Sequence, residues 1–348
     1  MDIDRYIQRN DATWIRLEDL SRRAERRVTS LSTDEVAELV GLYQKVSAQL
    51  SHARSTYADP DLNARLSRIL GTARVVIYRR RSGTTGALGR FFTSTFPAAV
   101  WTSRRFVAIA FLLFTIPAVS LGVWLANSPK ALDAAVPREE QQLIAQKEFR
   151  DYYRSTAAQN FAGRVTINNI YVSFLAFAMG VVPLIGTGAV LLTNGLNVGA
   201  MGAVMHHAGQ GPQFWGLILP HGLLEITSVL VAGAAGLRLG WAIIAPGDRT
   251  RRDALAEEGM RAVVLVLGLT LCFITAGFIE GFITPSNLPT GLRIAVGVAV
   301  EVAFVAYIVL LGTRAERSGL TGLLGEQERD ALERAEAAAT AGTLIRIR

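Results

Sequence analysis

The chain has 348 residues, of which 50% are hydrophobic, and its mean hydropathy is positive. Apolar runs of about 20 residues exclude a soluble globular protein and predict a polytopic membrane protein. The net charge of +7 is almost entirely arginine, since the lysines are Lys45, Lys130 and Lys147. Cytoplasmic arginines that face anionic lipid account for this positive net charge. We find no nucleic-acid-binding motif. A single cysteine, Cys272, excludes an internal disulfide.

The N-terminal residues 1–82 are predicted to form a cytosolic helical domain. The stretch MDIDRYIQRN is too polar for a signal peptide, so we expect the first membrane helix to direct insertion. Asn10 and Asp11 are expected to cap a first amphipathic helix. Ser32 and Glu35 have the spacing of a capping box at the start of a second.

Two further patterns define this domain. Asp59-Pro60 predicts the N-cap and first position of a third helix. Apolar residues of the second helix alternate in steps of three and four, which predicts that one face is buried against neighbouring helices or a second copy. The residues of this stripe are Val36, Leu39, Tyr43, Val46 and Leu50.

Residues 83–105 form a juxtamembrane segment in which aromatic residues lie between clusters of arginine. Arg79 to Arg81 precede Phe91, Phe92, Phe96 and Trp101, and Arg104 and Arg105 follow them. Basic residues flanking aromatic ones are typical of an amphipathic helix in the headgroup plane. A plain polar linker is the alternative interpretation.

Six apolar segments predict a transmembrane core over residues 106–313. They lie near 106–126, 166–185, 187–207, 215–244, 262–283 and 292–312. The fold class is therefore all-α: a polytopic membrane protein with about six spans and an N-terminal cytosolic helical domain. Most arginines lie before the first span, after the fourth and after the last, which predicts that both termini are cytoplasmic. The loop 127–165 is then outside the cytoplasmic membrane, and the charged tail 314–348 is cytosolic.

Polar residues within these segments are costly in hydrocarbon, at about 2.5–3.5 kcal/mol for a charge on insertion scales, so each needs a reason. Under the predicted topology most lie towards the outer leaflet, where they would line a polar cavity. Arg238 is the exception near the inner side, and we expect it to extend its guanidinium towards the headgroups. The candidate site residues are Asn168, Asn169, Asn194, Asn197, His206, His207, His221, Glu225, Glu280 and Glu301.

His221 and Glu225 are the most informative pair, because a spacing of four places them on one face of a helix. Two roles remain open for such groups: lining a functional cavity, or joining helices by hydrogen bonds. For this pair we favour the cavity, because a buried carboxylate is the more expensive group. We predict that both residues lie close to Asn194 in the outer half of the bundle.

The predicted third span supplies the reason for including Asn194. Gly195 and Gly199 form a small-xxx-small pair, which permits close helix contact and would bring Asn194 or Asn197 to the histidine–glutamate pair. Glu301, at mid-depth in the last span, is expected to form a further wall.

Catalytic and metal-binding roles remain alternatives. His221 and Glu225 could chelate a metal with His206 or His207 as a third ligand, but no HExxH motif is present. A Glu–His dyad could also activate water, although no serine-protease motif, GxGD motif or aspartate pair accompanies it. A transporter would show an inverted repeat, and none is convincing. We therefore expect no cofactor and assign no catalytic residue.

Two stretches resemble the stage II sporulation protein M family of integral membrane proteins. They read INNIYVSFLAFAMGVVPLIGTGAVLLTNGLNVGA and LPHGLLEITSVLVAGAAGLRLGWAI. The shared features are Asn168-Asn169, Phe177, Gly180, Asn194-Gly195, Gly199, His221-Gly222, Glu225 and Gly236. The resemblance covers about residues 105–313 and implies a multi-helix membrane core acting in the bacterial cell envelope. The cytosolic domain and the charged tail are departures from the namesake.

The expected function is that of an inner-membrane scaffold or assembly factor for cell-envelope proteins, with an outward-facing polar cavity. The alternative is a membrane hydrolase or transporter acting on an envelope lipid or peptide. Expected partners are the lipid bilayer and other envelope proteins. The resemblance adds a cytosolic AAA ATPase system as a partner and leaves a homo-oligomer open.

Overall fold

The computed structural model describes residues 3–26, 31–57, 59–79, 84–144 and 155–326. Within these ranges every regular element is a helix, which confirms the all-α polytopic class. The chain divides into two compact units, Met1–Gly89 and Arg90–Arg348. Each unit is described by itself.

The N-terminal unit consists of three amphipathic helices, α1 (Ile3–Arg26), α2 (Thr33–Thr56) and α3 (Pro60–Arg79), and each packs against the other two. Its core residues include Trp14, Leu17, Leu20, Val46 and Leu66, all fully buried. The indole Nε1 of Trp14 donates a hydrogen bond of 2.7 Å to Gln49 of α2. A largely apolar core with satisfied polar contacts such as this one therefore holds the three helices together.

The stripe on α2 faces this core, as the spacing predicts. Leu39, Val46 and Leu50 are buried, and Tyr43 is partly buried against the same cluster. The side chain of Val36 lies outside the described residues. The 3–4 periodicity was a reliable guide here because one face of a short amphipathic helix must be removed from water.

The capping predictions have mixed outcomes. The Ser32–Glu35 capping box is present, and Asp59 accepts from the backbone N–H of Leu62 at 2.7 Å. The prediction that Asn10 and Asp11 cap the first helix is wrong, because α1 begins at Ile3. Asn10 instead donates to a carbonyl one turn earlier, so a residue with capping propensity serves within the helix.

A short helix, α4 (Thr84–Arg90), belongs to the first unit up to Gly89. The second unit begins at Arg90 with a π-helical turn (Phe91–Thr95) and α5 (Phe96–Thr102). It continues with α6 (Arg104–Ala126), α7 (Pro129–Ala135), α8 (Arg138–Leu143), α9 (Ser155–Ala178), α10 (Ile185–His207) and α11 (Gly211–Ile244). It ends with α12 (Arg251–Phe278), a π-helical turn (Ile279–Ile283) and α13 (Thr290–Arg317). The predicted surface helix after residue 137 is present only as α8 among the described residues, and the tail beyond residue 326 lies outside them.

Five helical segments are long and apolar enough to cross a membrane: α6, α10, α11, α12 with its π-helical turn, and α13. The segment predicted near 166–185 is a shorter apolar helix, Thr166–Val181. It ends in a 3-10 turn before Leu184, which adopts a positive φ of 62°. Among the described residues, five segments therefore have the length and composition of a membrane span, and α9 contributes a sixth apolar helix.

Helix α11 lies at the centre of the bundle and contacts α6, α9, α10, α12 and α13. Its small residues permit this position, since Gly233, Gly236 and Gly240 are all buried. Where two helices must approach closely in lipid, glycine lets their backbones touch.

The juxtamembrane aromatic residues pack into protein, which differs from the predicted headgroup-plane helix. Phe96 is buried, and its ring fills the space where a side chain at Gly268 of α12 would lie. Tyr307 of α13 donates a hydrogen bond to the carbonyl of Phe92. Packing against glycine gives these rings more contact than lipid would, so α5 becomes part of the helix bundle.

Candidate functional site: a buried glutamate cluster

Six polar side chains from three helical segments meet inside the bundle and form what we call the glutamate cluster. They are Thr166 and Asn169 of α9, His221 and Glu225 of α11, and Glu280 and Thr284 in and just after the π-helical turn that follows α12. A polar group inside a membrane bundle is stable only when other protein groups satisfy it.

Glu225 is engaged at both carboxyl oxygens. Its Oε1 lies 2.9 Å from the hydroxyl of Thr166, and its Oε2 accepts from the amide of Asn169 at 2.6 Å. The residue is only 1% exposed. Both partners come from α9, so the carboxyl group joins two helices and is closed off from lipid.

Glu280 is the second carboxyl group of the cluster and is satisfied on one side only. Its Oε2 lies 2.8 Å from the hydroxyl of Thr166. Its Oε1 has no hydrogen-bond partner among the described residues, and His221 Nε2 is 3.7 Å away. The other ring nitrogen of His221 lies 3.4 Å from Thr284. One polar atom of the cluster is therefore directed at a histidine without reaching it.

The hydroxyl of Thr166 bears on the protonation of the two carboxyl groups. It lies within hydrogen-bond distance of both Glu225 and Glu280, but a hydroxyl has only one hydrogen to donate. The second contact is a hydrogen bond only if one of the two carboxyl groups is protonated and donates to the threonine oxygen. The geometry thus fits a pair in which at least one carboxyl group is protonated and both contact a single hydroxyl.

The close approach of α9 and α11 explains why Asn169 reaches Glu225. A Cβ placed on Gly180 would lie 2.4 Å from the carbonyl oxygen of Gly236, so the two backbones touch there. The glycine pair has the same separation along the chain as Asn169 and Glu225, which are 56 residues apart. Both pairs therefore lie on the same faces of two parallel helices, about three turns from each other.

Two local irregularities in the helices position Glu280 and His221, the other ionisable members of the glutamate cluster. The π-helical turn Ile279–Ile283 rotates Glu280 away from the regular path of α12 and into the bundle. Pro220 lies inside α11 just before His221, and its backbone packs directly on Gly297 of α13. These features hold the second carboxyl group and the histidine on facing helices.

The remaining candidate residues lie elsewhere. Asn168 and Asn197 are exposed on the bundle surface, as are His206 and His207 at the end of α10. A ring nitrogen of His207 lies 3.1 Å from the carbonyl of Leu125. Glu301 accepts from Thr227 on the opposite face of α11 from Glu225, so it belongs to a separate contact.

The prediction that Asn194 joins His221 and Glu225 is wrong. Its amide donates to the carbonyl of Val190 in its own helix at 2.8 Å. The small-residue face of α10 does make a close helix contact, but with α6: a Cβ on Gly195 would lie 2.2 Å from the carbonyl oxygen of Phe114. A glycine pair predicts a close partner, while its identity depends on how the helices are arranged.

Sequence reasoning missed Thr166 and Thr284. Threonine is common in membrane helices, where its hydroxyl usually bonds to its own backbone one turn earlier. Thr166 instead bridges two carboxyl groups, and nothing in the local sequence marks it. The one available signal was its position three residues before Asn169, on the same helical face.

Sequence reasoning also missed a second polar network, which lies near the end of α11 and the start of α12, away from the glutamate cluster. Arg238 forms an ion pair of 2.6 Å with Glu258, which also accepts from Arg261 at 3.1 Å. The guanidinium of Arg238 is therefore paired within the protein, which differs from the free extension towards the headgroups that we predicted. Helix α12 begins at Arg251, earlier than the apolar run, so Glu258 lies within the helix and meets Arg238.

Within the described ranges, no group of three or more His, Cys, Asp and Glu side chains is arranged to hold a metal ion. The glutamate cluster contributes one histidine and two glutamates, and Thr166 lies between the two carboxyl groups.

The helices and the buried glutamate cluster define a multi-pass α-helical membrane protein with polar side chains inside its bundle. The model of the family described as stage II sporulation protein M matches residues 110–285, which is half of the chain. The chain belongs to this family. A second family model, Domain of unknown function (DUF8413), matches residues 4–79 of the N-terminal unit.

One relative adds taxonomic breadth. An uncharacterized protein of Methanocaldococcus jannaschii is 31% identical over 128 residues, which cover 36% of this chain and 71% of that protein. No solved structure matches the chain. The glutamate cluster residues lie within the family match, whereas α13 lies beyond it.

Proposed function

We propose that the protein is a membrane scaffold or assembly factor that holds other proteins of the cell envelope and does not catalyse a reaction. The observation that carries this proposal is the closure of Glu225, whose two oxygens are both engaged by side chains of α9. A general base must reach the proton that it removes. Glu225 is directed at its own bundle, which supports a role in joining helices.

The surfaces that would bind partners lie outside this core. Helices α6 and α13 are largely exposed along their lengths, with Trp124 and Val302 each 61% exposed. In a bilayer such faces contact lipid or the helices of another protein. The N-terminal unit would bind a cytosolic partner, for which an AAA ATPase system is the proposal that follows from the family resemblance.

Site-specific photo-cross-linking in native membranes tests the scaffold proposal. A photoreactive residue at Trp124 or Val302 should give discrete adducts with defined envelope proteins, while the same residue at buried Leu265 should give none. Adducts with lipid alone at both exposed positions would contradict the proposal.

The same assay distinguishes a scaffold from an enzyme. Glu225→Gln keeps the shape and hydrogen-bonding capacity of the side chain, so a scaffold should retain its adducts and its effect on cell shape or growth. An enzyme that uses Glu225 should retain its fold and lose that cellular effect. Glu225→Ala serves as the destabilised reference, since it removes both contacts to α9.

A second candidate function, binding of an envelope lipid, is favoured by one observation. An apolar groove of about 330 Å³ runs between α9, α11 and α12 and reaches Thr166 of the glutamate cluster. Its walls include Phe174, Phe273 and Ile274, and the hydroxyl of Ser173 has no hydrogen-bond partner among the described residues. A hydrocarbon chain in this groove would end beside the two carboxyl groups.

A bulky side chain placed in the groove distinguishes the lipid-binding function from the scaffold function. Thr270→Phe adds bulk at an exposed groove position, with Leu271→Phe, at an exposed position of the same helix outside the groove, as the control. A lipid-binding function should fail in the first variant alone. Unchanged cellular function with unchanged protein level would leave the scaffold proposal in place and contradict lipid binding.

A further inference from the structure

A second cavity, of about 380 Å³, lies at the end of the bundle opposite the glutamate cluster. The start of α6, the end of α11, the turn after it and the first turns of α12 enclose it. We call it the arginine cavity, because Arg104, Arg105, Arg238 and Arg249 line it together with Trp241 and Glu258. Three helix ends meet there, so the cavity lies at the depth where a membrane-spanning helix reaches the lipid headgroups.

The lining carries more positive than negative charge. Glu258 is the one carboxylate among the residues that line the cavity, and it is paired with both Arg238 and Arg261. Arg105 has no ion pair with any described residue, and its side chain is exposed. An arginine at a concave site without a carboxylate partner is available to an anionic ligand.

The other two arginines are paired with carboxylates behind the lining. Arg104 contacts Glu316 at 3.1 Å, and Arg249 contacts Glu257 at 2.6 Å. Arg104, Glu316 and Arg249 are exposed and Glu257 is half-buried, so both pairs are accessible to solvent, weak, and can be shared with a ligand. Glu257 also has a second partner in Arg261, which remains if Arg249 turns towards the cavity.

The chemistry and the depth of the site indicate which anion it fits. A guanidinium binds a phosphate through two parallel hydrogen bonds, and several arginines together recognise phosphate better than carboxylate. Trp241 is 47% exposed at the rim, and Phe106 adds a second aromatic wall. Aromatic side chains at helix ends lie at the level of the glycerol and headgroups.

We propose that the arginine cavity binds the phosphate of a membrane lipid headgroup, with Arg105 and Arg249 as its principal ligands and Trp241 against the glycerol region. Arg238, which is 16% exposed and held by Glu258, forms the positive floor. The site would fix an anionic lipid where α6, α11 and α12 meet. This inference is independent of the scaffold proposal, since neither requires the other.

Native mass spectrometry of the full chain in detergent tests the proposal. With phosphatidylglycerol as the probe, Arg105→Gln combined with Arg249→Gln should reduce bound lipid by roughly tenfold, because two cations are lost from the site. Arg252→Gln combined with Arg317→Gln is the matched control: both residues are exposed at the same end, and neither lines the cavity. The control should bind within about twofold of the unmodified chain.

Further arms separate the sources of phosphate. Phosphatidylcholine should bind more weakly than phosphatidylglycerol, because its choline cation would face the arginines. Equal binding of the two lipids, or equal binding by both double variants, would overturn the proposal. Displacement of phosphatidylglycerol by inorganic phosphate at similar concentration would show that the site takes free phosphate and would overturn the assignment to a lipid.

Discussion

Gly180, in the 3-10 turn that follows α9, lies in backbone contact with Gly236 of α11, and this contact holds the two helices at the distance at which Asn169 reaches Glu225. A Cβ on Gly236 would lie 2.3 Å from the carbonyl oxygen of Ala176, closer than any real contact. The glutamate cluster therefore depends on a packing feature about three turns away.

Gly236→Ala should destabilise the bundle. The added methyl group would push α9 away from α11, which costs about 1–3 kcal/mol for overpacking and lengthens the bond from Asn169 to Glu225. Thermal unfolding in detergent should show a lower midpoint. Gly188→Ala is the control, since a Cβ there meets nothing within 4 Å. An equal effect of both substitutions would contradict the packing argument.

Asn169→Ala and Asn168→Ala form a matched pair on neighbouring positions of α9. The first removes a donor from a buried carboxyl oxygen and should cost about 1–3 kcal/mol, the penalty for an unsatisfied buried polar group. The second changes an exposed side chain and should have little effect. The measurement is the unfolding midpoint of each purified protein, and a larger loss for Asn168→Ala would refute the assignment of the cluster.

Acid should loosen the start of α2. Hydrogen bonds from the Ser32 backbone and from Arg23 lower the pKa of Glu35 below its ordinary value of 4.5. The carboxylate therefore stabilises the folded state above that ordinary value, and its contribution is lost as the pH falls through the lower folded value. Hydrogen exchange of peptides from α2, corrected for intrinsic rates, should show this loss of protection. Glu35→Gln should weaken the dependence, and an unchanged profile would contradict it.

Ser32→Ala tests the same helix start at neutral pH. The hydroxyl accepts from the backbone N–H of Glu35 at 3.2 Å, and loss of such a cap costs about 1 kcal/mol. Faster hydrogen exchange at the first turn of α2 is the expected result. Ser55→Ala, exposed near the end of the same helix, is the control.

The predicted topology is open to direct measurement. In a chain with Cys272 replaced by alanine, a new cysteine at Glu140 should react with a membrane-impermeant reagent in intact cells. Cysteines at Asp61, Asp248 or Asp330 should react only after the membrane is opened, because arginine-rich loops stay cytoplasmic. Labelling of the Asp248 position from outside would reverse the orientation of α11 and α12.

The sequence by itself determined the helical class, the apolar segments and the pairing of neighbouring residues within one helix. Hydrophobic runs need helices of membrane length, and a spacing of three or four places residues on one face. This is why the stripe on α2, the Ser32–Glu35 capping box and the shared face of His221 and Glu225 followed from the sequence.

Only the tertiary structure decided which helices meet. Gly195 and Gly199 predicted a close partner for α10, but any helix with a matching small or flat face satisfies that requirement, and the partner proved to be α6. Asn194 was therefore left outside the cluster, and Glu280 entered it through a π-helical turn that no local pattern marked. Contacts between distant segments arise from the combined packing of all helices, and a periodic pattern in one helix does not specify which other helix lies next to it.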